Sequence, residues 1–316
     1  MRIPRRLLSV LRGEGPFLIA AHIDPDGDAI GSSLALSAAL EAAGKKTFLY
    51  SRDPLPKYFA FLPGRKKFTA RLREIVEEDP VLVLLDCNSP ERAGIEGRRF
   101  RKAVVIDHHE TAKEFGDVRW VDHTAAATGI LVYRLVKALG GRITPEIATN
   151  LYTAISVDTG TFRYSNTSAD VLRVSAELVD AGAEPNRIAD HLYETWEYKR
   201  FRLLVAALNT IEVRDGVAVI HITKKMFRDT GTSAEDTEYF SNYPRMIGSI
   251  RIAVLLRELE QRGWKASLRS KGAVNVARIA ERFGGGGHRN AAGFKTTSDL
   301  KTIKDTLFQA GRRSRR

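Results

Sequence analysis

Short apolar runs that alternate with helical stretches constrain this chain more than any other feature. Residues 17–21, 81–85 and 103–106 are compact, leucine-rich or β-branched runs of the kind buried on both faces of a sheet. Helical patterns follow at 29–43, closed by Gly44, and at 127–139, 145–157 and 169–181, with Thr144 and Ser168 placed to cap the last two. That alternation predicts a parallel α/β sheet. A polar helical stretch at 188–208 then reads as a connector. Beyond it the pattern changes: a hairpin at 210–213 and 217–222 around Asp215-Gly216, strands at 249–259 and 264–268, and a closing helix at 299–309. The expected architecture is an N-terminal parallel-sheet domain (1–187), a helical linker (188–209) and a smaller α/β C-terminal domain with a mixed sheet (210–316).

Each of the three N-terminal strands ends in an acidic or histidine-bearing turn. The first runs into His22-Ile23-Asp24-Pro25-Asp26-Gly27-Asp28, the second into Asp86, the third into Asp107-His108-His109. A fourth acid, Asp158, ends the helix before Thr159-Gly160-Thr161-Phe162-Arg163-Tyr164. Ligands of open α/β sheets bind at the carboxyl ends of strands, so these groups can converge in one crevice. Taken singly, an acid after a strand is most often a helix cap or turn former. Together, oxygen and imidazole donors without thiolates suit hard-to-borderline divalent ions. Four aspartates exceed the needs of one zinc ion but fit two metals, roughly 3.5–4 Å apart. Two divalent cations cancel four carboxylates, and metal coordination lowers the pKa of a water to about 7 in favourable sites. An incoming phosphate then calls for further cationic donors.

The chain has 316 residues and a net charge of +12, which favours polyanionic partners. Arg2, Arg5, Arg6 and Arg12 at one end and Arg312, Arg313, Arg315 and Arg316 at the other supply eight charges, leaving a body of +4. Lys265, Arg269, Lys271, Arg278, Arg282 and Arg289, against the lone acid Glu281, flank Gly284-Gly285-Gly286-Gly287-His288. Four glycines alone suggest a flexible hinge; with His288, Arg289 and Asn290 attached, a loop cradling phosphate is the better reading. The single cysteine, Cys87, forms no intrachain disulfide and suits a reducing cytoplasm. No stretch approaches the ~18 apolar residues of a membrane span, so secreted and integral-membrane readings are set aside.

These motifs, in this order, resemble the DHH phosphoesterase family over nearly the whole chain. His22 to Asp28 with Gly31-Ser32 looks like its first motif, Asp86 with Ser89-Pro90-Glu91-Arg92 its second, and Asp107-His108-His109 the namesake. The stretch from Asp158 to Asn166 resembles the fourth, and that from Gly284 to Gly293 the signature of the DHH-associated C-terminal domain. Within that family the set resembles the NrnA-type subgroup, nanoRNases that also remove the 3′-phosphate from adenosine 3′,5′-bisphosphate (pAp). The resemblance implies two Mn²⁺ ions, with Mg²⁺ or Co²⁺ as substitutes. His22 and Asp26 would hold one, Asp28, His108 and Asp158 the other, and Asp86 would bridge both, with Asp107 orienting a histidine ligand. His109, Arg92 and His288 would hold the scissile phosphate. Arg269, Ser270, Asn290 and the backbone of Gly285, Gly286 and Gly287 would bind the nucleotide. Asp24 is expected to be a bystander.

The implied activity is hydrolysis of short single-stranded RNA to mononucleotides and of pAp to AMP through a metal-bound hydroxide, in a chain that allows a homodimer. A family pyrophosphatase would carry a basic Arg-Lys signature in place of 284–290, and a RecJ-like exonuclease an added oligonucleotide-binding domain. A stand-alone phosphodiesterase of cyclic or linear dinucleotides is the alternative enzyme. A non-catalytic RNA-binding protein would not need an acid or histidine at every ligand position.

Overall fold

The computed structural model describes residues 2–109 and 114–313, in two compact units, Met1–Thr195 and Trp196–Arg316. The first unit is built on six parallel strands: β1 (Phe17–Ala20), β2 (Thr47–Tyr50), β3 (Phe68–Thr69), β4 (Val81–Leu85), β5 (Lys102–Asp107) and β6 (Val118–Val121). Their order is β3-β2-β1-β4-β5-β6, so the chain winds outward in both directions from the β1/β4 pair. That pair is the topological switch point, where the connections leave a crevice at the carboxyl ends.

Both faces of this sheet are covered, which is why β1 and β4 are apolar at every position. Phe17, Ile19, Val83, Leu85, Val104 and Ile106 pack on one side with Ile30, Leu34, Ile130 and Ile155. These partners lie on α2 (Gly27–Ala42), α5 (Thr128–Ala138) and α6 (Pro145–Asp158). Leu18, Leu82, Leu84 and Val105 pack on the other side with Leu72, Ile75 and Ala93, from α3 (Leu72–Val76) and α4 (Pro90–Ala93). Each such side chain contributes about 1.5–3 kcal/mol by leaving water. α1 (Arg5–Arg12) buries Leu7 and Leu11, and α7 (Ala169–Asp180) closes the helical layer. α2 and α6 lie unusually close: a Cβ on Gly31 would sit 2.3 Å from the Asn150 carbonyl oxygen. Thr144 and Ser168 cap α6 and α7 through bonds to Ile147 N and Val171 N, both at 3.3 Å.

The expected helix over 188–208 is divided. α8 (Pro185–Ala189) passes into a π-helical turn, Asp190–Glu194, and α9 begins at Tyr198 and ends at Leu208. The neighbours explain the break. Tyr193 hydrogen-bonds Thr161 of the first unit, while Trp196 lies under the Arg200 guanidinium, 3.9 Å from its ring centre, in the second.

The second unit has a mixed sheet of β7 (Glu212–Arg214), β8 (Val217–Ile222), β9 (Ile252–Glu258), β10 (Trp264–Ser270), β11 (Gly286–His288) and β12 (Ala291–Thr296). The order is β11-β12-β10-β9-β8-β7, with β8 and β9 parallel and the other neighbours antiparallel. Asp215 and Gly216, at φ 53° and 77°, form the primed turn expected between β7 and β8. α10 (Lys224–Thr230) and α11 (Asn242–Arg245) lie between β8 and β9. α12 (Ala277–Glu281) and α13 (Leu300–Arg313) bury Ile279, Ile303 and Leu307 against Val254, Leu256 and Leu268. Among the described residues no helix is long and apolar enough to cross a membrane.

Candidate metal centre

The turn after β1 delivers three donors. His22 Nδ1 faces the Ile23 carbonyl at 2.8 Å, which leaves Nε2 3.5 Å from Asp86 Oδ2 and 3.8 Å from Asp26 Oδ1. Asp26 caps α2, its Oδ1 accepting from Asp28 N at 3.0 Å and Ala29 N at 3.1 Å. Asp28 is buried and accepts from Gly129 N at 2.8 Å, Thr128 N at 2.6 Å and Ser32 Oγ at 3.0 Å. It thereby caps α5, whose own N-cap residue, Ala127, has no side-chain acceptor. The capping role common to acids after strands and convergence on one crevice are both realised.

Asp86 stands at the centre. It leaves β4 with φ 56°, a strained left-handed conformation for a residue with a Cβ. Its Oδ1 lies 3.3 Å from His108 Nε2, 3.4 Å from His109 Nδ1 and 3.1 Å from the Thr128 hydroxyl, while Oδ2 faces His22. His108 Nδ1 lies 3.2 Å from the Ala125 carbonyl, an arrangement that turns Nε2 toward Asp86, Asp158 at 3.2 Å and Asp28 at 3.8 Å. Asp158 ends α6, and the Asn166 amide donates to its carbonyl and to that of Ala126, both at 3.1 Å. Asp107, buried, accepts from His109 Nδ1 at 2.7 Å and from Asn88 Nδ2 at 2.9 Å. It therefore orients His109, whereas the ring of His108 is oriented by the Ala125 backbone carbonyl.

Three donor groups result, each with atoms within 4.8 Å of one another: His22–Asp26–Asp86, Asp28–His108–Asp158 and Asp86–His108–His109. The protonation pattern is that of a cation site filled by protons. Burial disfavours the charged imidazole of His22, yet its bonds to Asp26 and Asp86 raise its pKa well above the usual value. His108 is raised likewise against burial, through Asp158 and Asp86. Asp86 is held well below the usual carboxylate range, His108 and His22 outweighing its burial. Asp28 is raised well above it by burial and by the charges of Asp86 and Asp158, and Asp158 is pushed up to about 6, chiefly by burial. Among the described residues no Lys or Arg pairs with these four acids; their cationic neighbours are imidazoles. Such oxygen and nitrogen donors fit divalent cations.

The remaining expected residues lie elsewhere. Arg92 is exposed on α4, and its carbonyl accepts from Ile23 N at 2.6 Å, next to the His22 turn. In the second unit the glycine-rich stretch differs from the expected loop: Gly286 and Gly287 are on the edge strand β11, paired with Gly293 and Ala292. Close packing demands glycine there, since a Cβ on Gly285 would sit 2.2 Å from the Gly293 carbonyl oxygen. Ser270 is buried, its hydroxyl donating to Val274 O at 2.8 Å and lying 3.1 Å from Asn290 Oδ1, so it ties the β11–β12 turn to β10. Arg269 is half-buried on β10. The His288 side chain, Arg315 and Arg316 lie outside what the structure describes, while Arg312 pairs with Asp215 at 2.6 Å. Sequence reasoning missed Thr128, Asn88 and the Ala125 carbonyl. Of these only Thr128 carried a signal, as a polar residue opening a helix after small residues.

A family model for the DHH family, N-terminal domain, matches residues 16–155, and one for the DHHA1 domain matches residues 215–310. The chain is 39% identical over 315 residues to the bifunctional oligoribonuclease and PAP phosphatase NrnA of Thermus thermophilus, covering 99% of this chain and 93% of that protein. The Bacillus subtilis protein of the same name is 28% identical over 294 residues, covering 87% and 88%. Among solved structures, an exopolyphosphatase-related protein from Bacteroides fragilis superposes with a TM-score of 0.90 at 28% identity, covering 98% of this chain and 95% of that one.

Proposed function

The chain belongs to the DHH family, and from that premise we propose that it is a metal-dependent phosphoesterase that hydrolyses short RNA to mononucleotides and removes the 3′-phosphate of pAp. The observation that carries this reading is Asp86, which turns one carboxylate oxygen to the His22 side of the cluster and the other to the His108 side. The proposed occupants are two Mn²⁺ ions, with Mg²⁺ or Co²⁺ as substitutes; His22 and Asp26 would hold one, Asp28, His108 and Asp158 the other, and Asp86 would be shared. When bound, such ions supply Lewis acidity toward a phosphoryl oxygen and acidify a water to near neutral pH.

The protein's own groups then do the positioning. Asp107 fixes His109 through Nδ1 and leaves Nε2 facing the substrate, where the ring protonated on both nitrogens would donate to a phosphoryl oxygen. Arg92 adds a cation beside the His22 turn. From the second unit we assign His288, Arg269, Asn290 and the backbone of Gly285, Gly286 and Gly287 to phosphate and nucleotide, with Ser270 holding the hairpin that carries them. Such donors stabilise charge that grows on the phosphoryl oxygens during displacement.

The direct test is a Mn²⁺-dependent assay on RNAs of two to five nucleotides, a twenty-mer, pAp, and linear and cyclic dinucleotides, with products identified by mass. Mononucleotides from the short RNAs and AMP from pAp are expected, each abolished by chelation. Turnover confined to cyclic dinucleotides, or none with any metal, overturns the assignment.

A further inference from the structure

The turn that follows Asp158 is wound in the left-handed sense over three consecutive residues: Gly160, Thr161 and Phe162 have φ of 58°, 57° and 60°. Glycine adopts this conformation freely, but a β-branched threonine and a phenylalanine are strained in it. Strain of this kind persists only where the surroundings over-determine it. Local bonds do part of that work: Thr161 N to Ser156 O at 2.6 Å, Phe162 N to Thr159 Oγ1 at 3.1 Å and Arg163 Nε to Gly160 O at 2.7 Å. Another contact arrives from a distant segment. The Thr161 hydroxyl hydrogen-bonds the Tyr193 hydroxyl, which sits on the π-helical turn Asp190–Glu194. That turn is anchored in its own right, with Leu192 buried and the His191 ring stacked on Phe61 at 4.5 Å.

Tyr193 is not among the residues that form the donor groups. Its effect on them runs through the end of α6, because the turn fixes where Asp158 stops the helix and leaves its carboxylate 3.2 Å from His108. At the far end of the same turn Asn166 holds the Asp158 carbonyl. We propose that Tyr193 is a positioning residue for the metal centre: its hydroxyl, through Thr161, keeps the left-handed turn wound and so presents Asp158 beside His108 and Asp28. The inference rests on the reading of Asp158 as a metal ligand.

The test is titration of the metal-free, full-length protein with Mn²⁺, followed by calorimetry. Tyr193→Phe should weaken binding about tenfold, the scale of a lost group that orients a ligand, and the deficit in turnover should be recovered as Mn²⁺ is raised. Thr161→Ala, which keeps the strain and loses the hydroxyl, should behave the same way. Thr161→Gly, which removes the strain at that position, should retain affinity and make Tyr193→Phe silent in its background. Wild-type affinity in both Tyr193→Phe and Thr161→Ala overturns the proposal, as does an equal loss for Tyr193→Phe with Gly at 161. A wild-type protein that takes up no Mn²⁺ overturns the ligand assignment along with it, which separates the two failures.

Discussion

The donor cluster of the first unit and the glycine-rich hairpin of the second are assembled in opposite ways. The cluster draws His22, Asp28, Asp86, His108 and Asp158 from four separate segments and brings them together because parallel strands end on one edge, at the β1/β4 switch point. The hairpin is local: Gly285 to Asn290 are neighbours in sequence and are shaped by close contact with β12 and by the Ser270 hydroxyl. A site made by convergence depends on single residues that each touch several others. A site made locally depends on the backbone path of one segment. Substitutions should therefore fail differently in the two regions.

The largest effect is expected at Asp86, which faces three histidines. Asp86→Ala should lower turnover by at least about 1,000-fold, ~4 kcal/mol in the barrier, measured at saturating Mn²⁺. Wild-type activity in that variant would break the picture of a shared ligand. His288→Ala comes next, with a loss of roughly 30- to 1,000-fold in kcat/KM, about 2–4 kcal/mol, much of it in kcat. Its bound metal should be unchanged by elemental analysis. Loss of metal together with activity would erase the division between the two regions.

The acids were legible from sequence because three of them follow apolar runs and a parallel sheet turns that position into convergence. Asp26 and Asp28 show that capping a helix and joining a cluster are compatible: the helix N-terminus that each caps also fixes its carboxylate. The glycines read as a loop because sequence carries no sign of the Gly293 carbonyl that approaches Gly285. Thr128 and the Ala125 carbonyl act through position alone, a neutral hydroxyl and a main-chain oxygen that no charge pattern marks. Strands β2, β3 and β6 leave little sequence signal for a related reason, being short and only partly buried. The break near Thr195 was hidden because a π-turn keeps helical spacing until Tyr193 and Trp196 are held by different neighbours.

Smaller effects sharpen the contrast in stability. Gly285→Ala forces a Cβ against backbone and should destabilise the second unit by about 1–3 kcal/mol. Gly31→Ala should do the same to the first, where the Asn150 carbonyl cannot yield. Both are read as a fall in Tm, and an unchanged Tm for Gly285→Ala would return the hairpin to a loose loop.

The smallest expected effect is a pH trend that arises in the donor cluster of the first unit. Metal-free, the folded cluster holds protons that the unfolded chain releases: Asp158 titrates near 6 against 3.8 unperturbed, and His22 and His108 are raised above 6.5. Stability from these groups is present at low pH and is lost as pH rises through their folded values. The depressed acids Asp26 and Asp86 act in the opposite sense only below about pH 4. Melting of the metal-free protein should therefore shift to lower temperature from pH 4.5 to 8, and Mn²⁺ should reverse the slope by replacing protons. A Tm that rises with pH without metal would contradict the proton-filled cluster.

The most direct measurement is the metal content of wild-type and Asp86→Ala protein after equilibration with Mn²⁺ and removal of the excess, counted per chain and located by anomalous scattering. The expected result is two ions in the wild type, one on each side of Asp86, with occupancy lost on both sides in the variant. One ion in the wild type, or one side that stays full in Asp86→Ala, would contradict a shared carboxylate at the switch point.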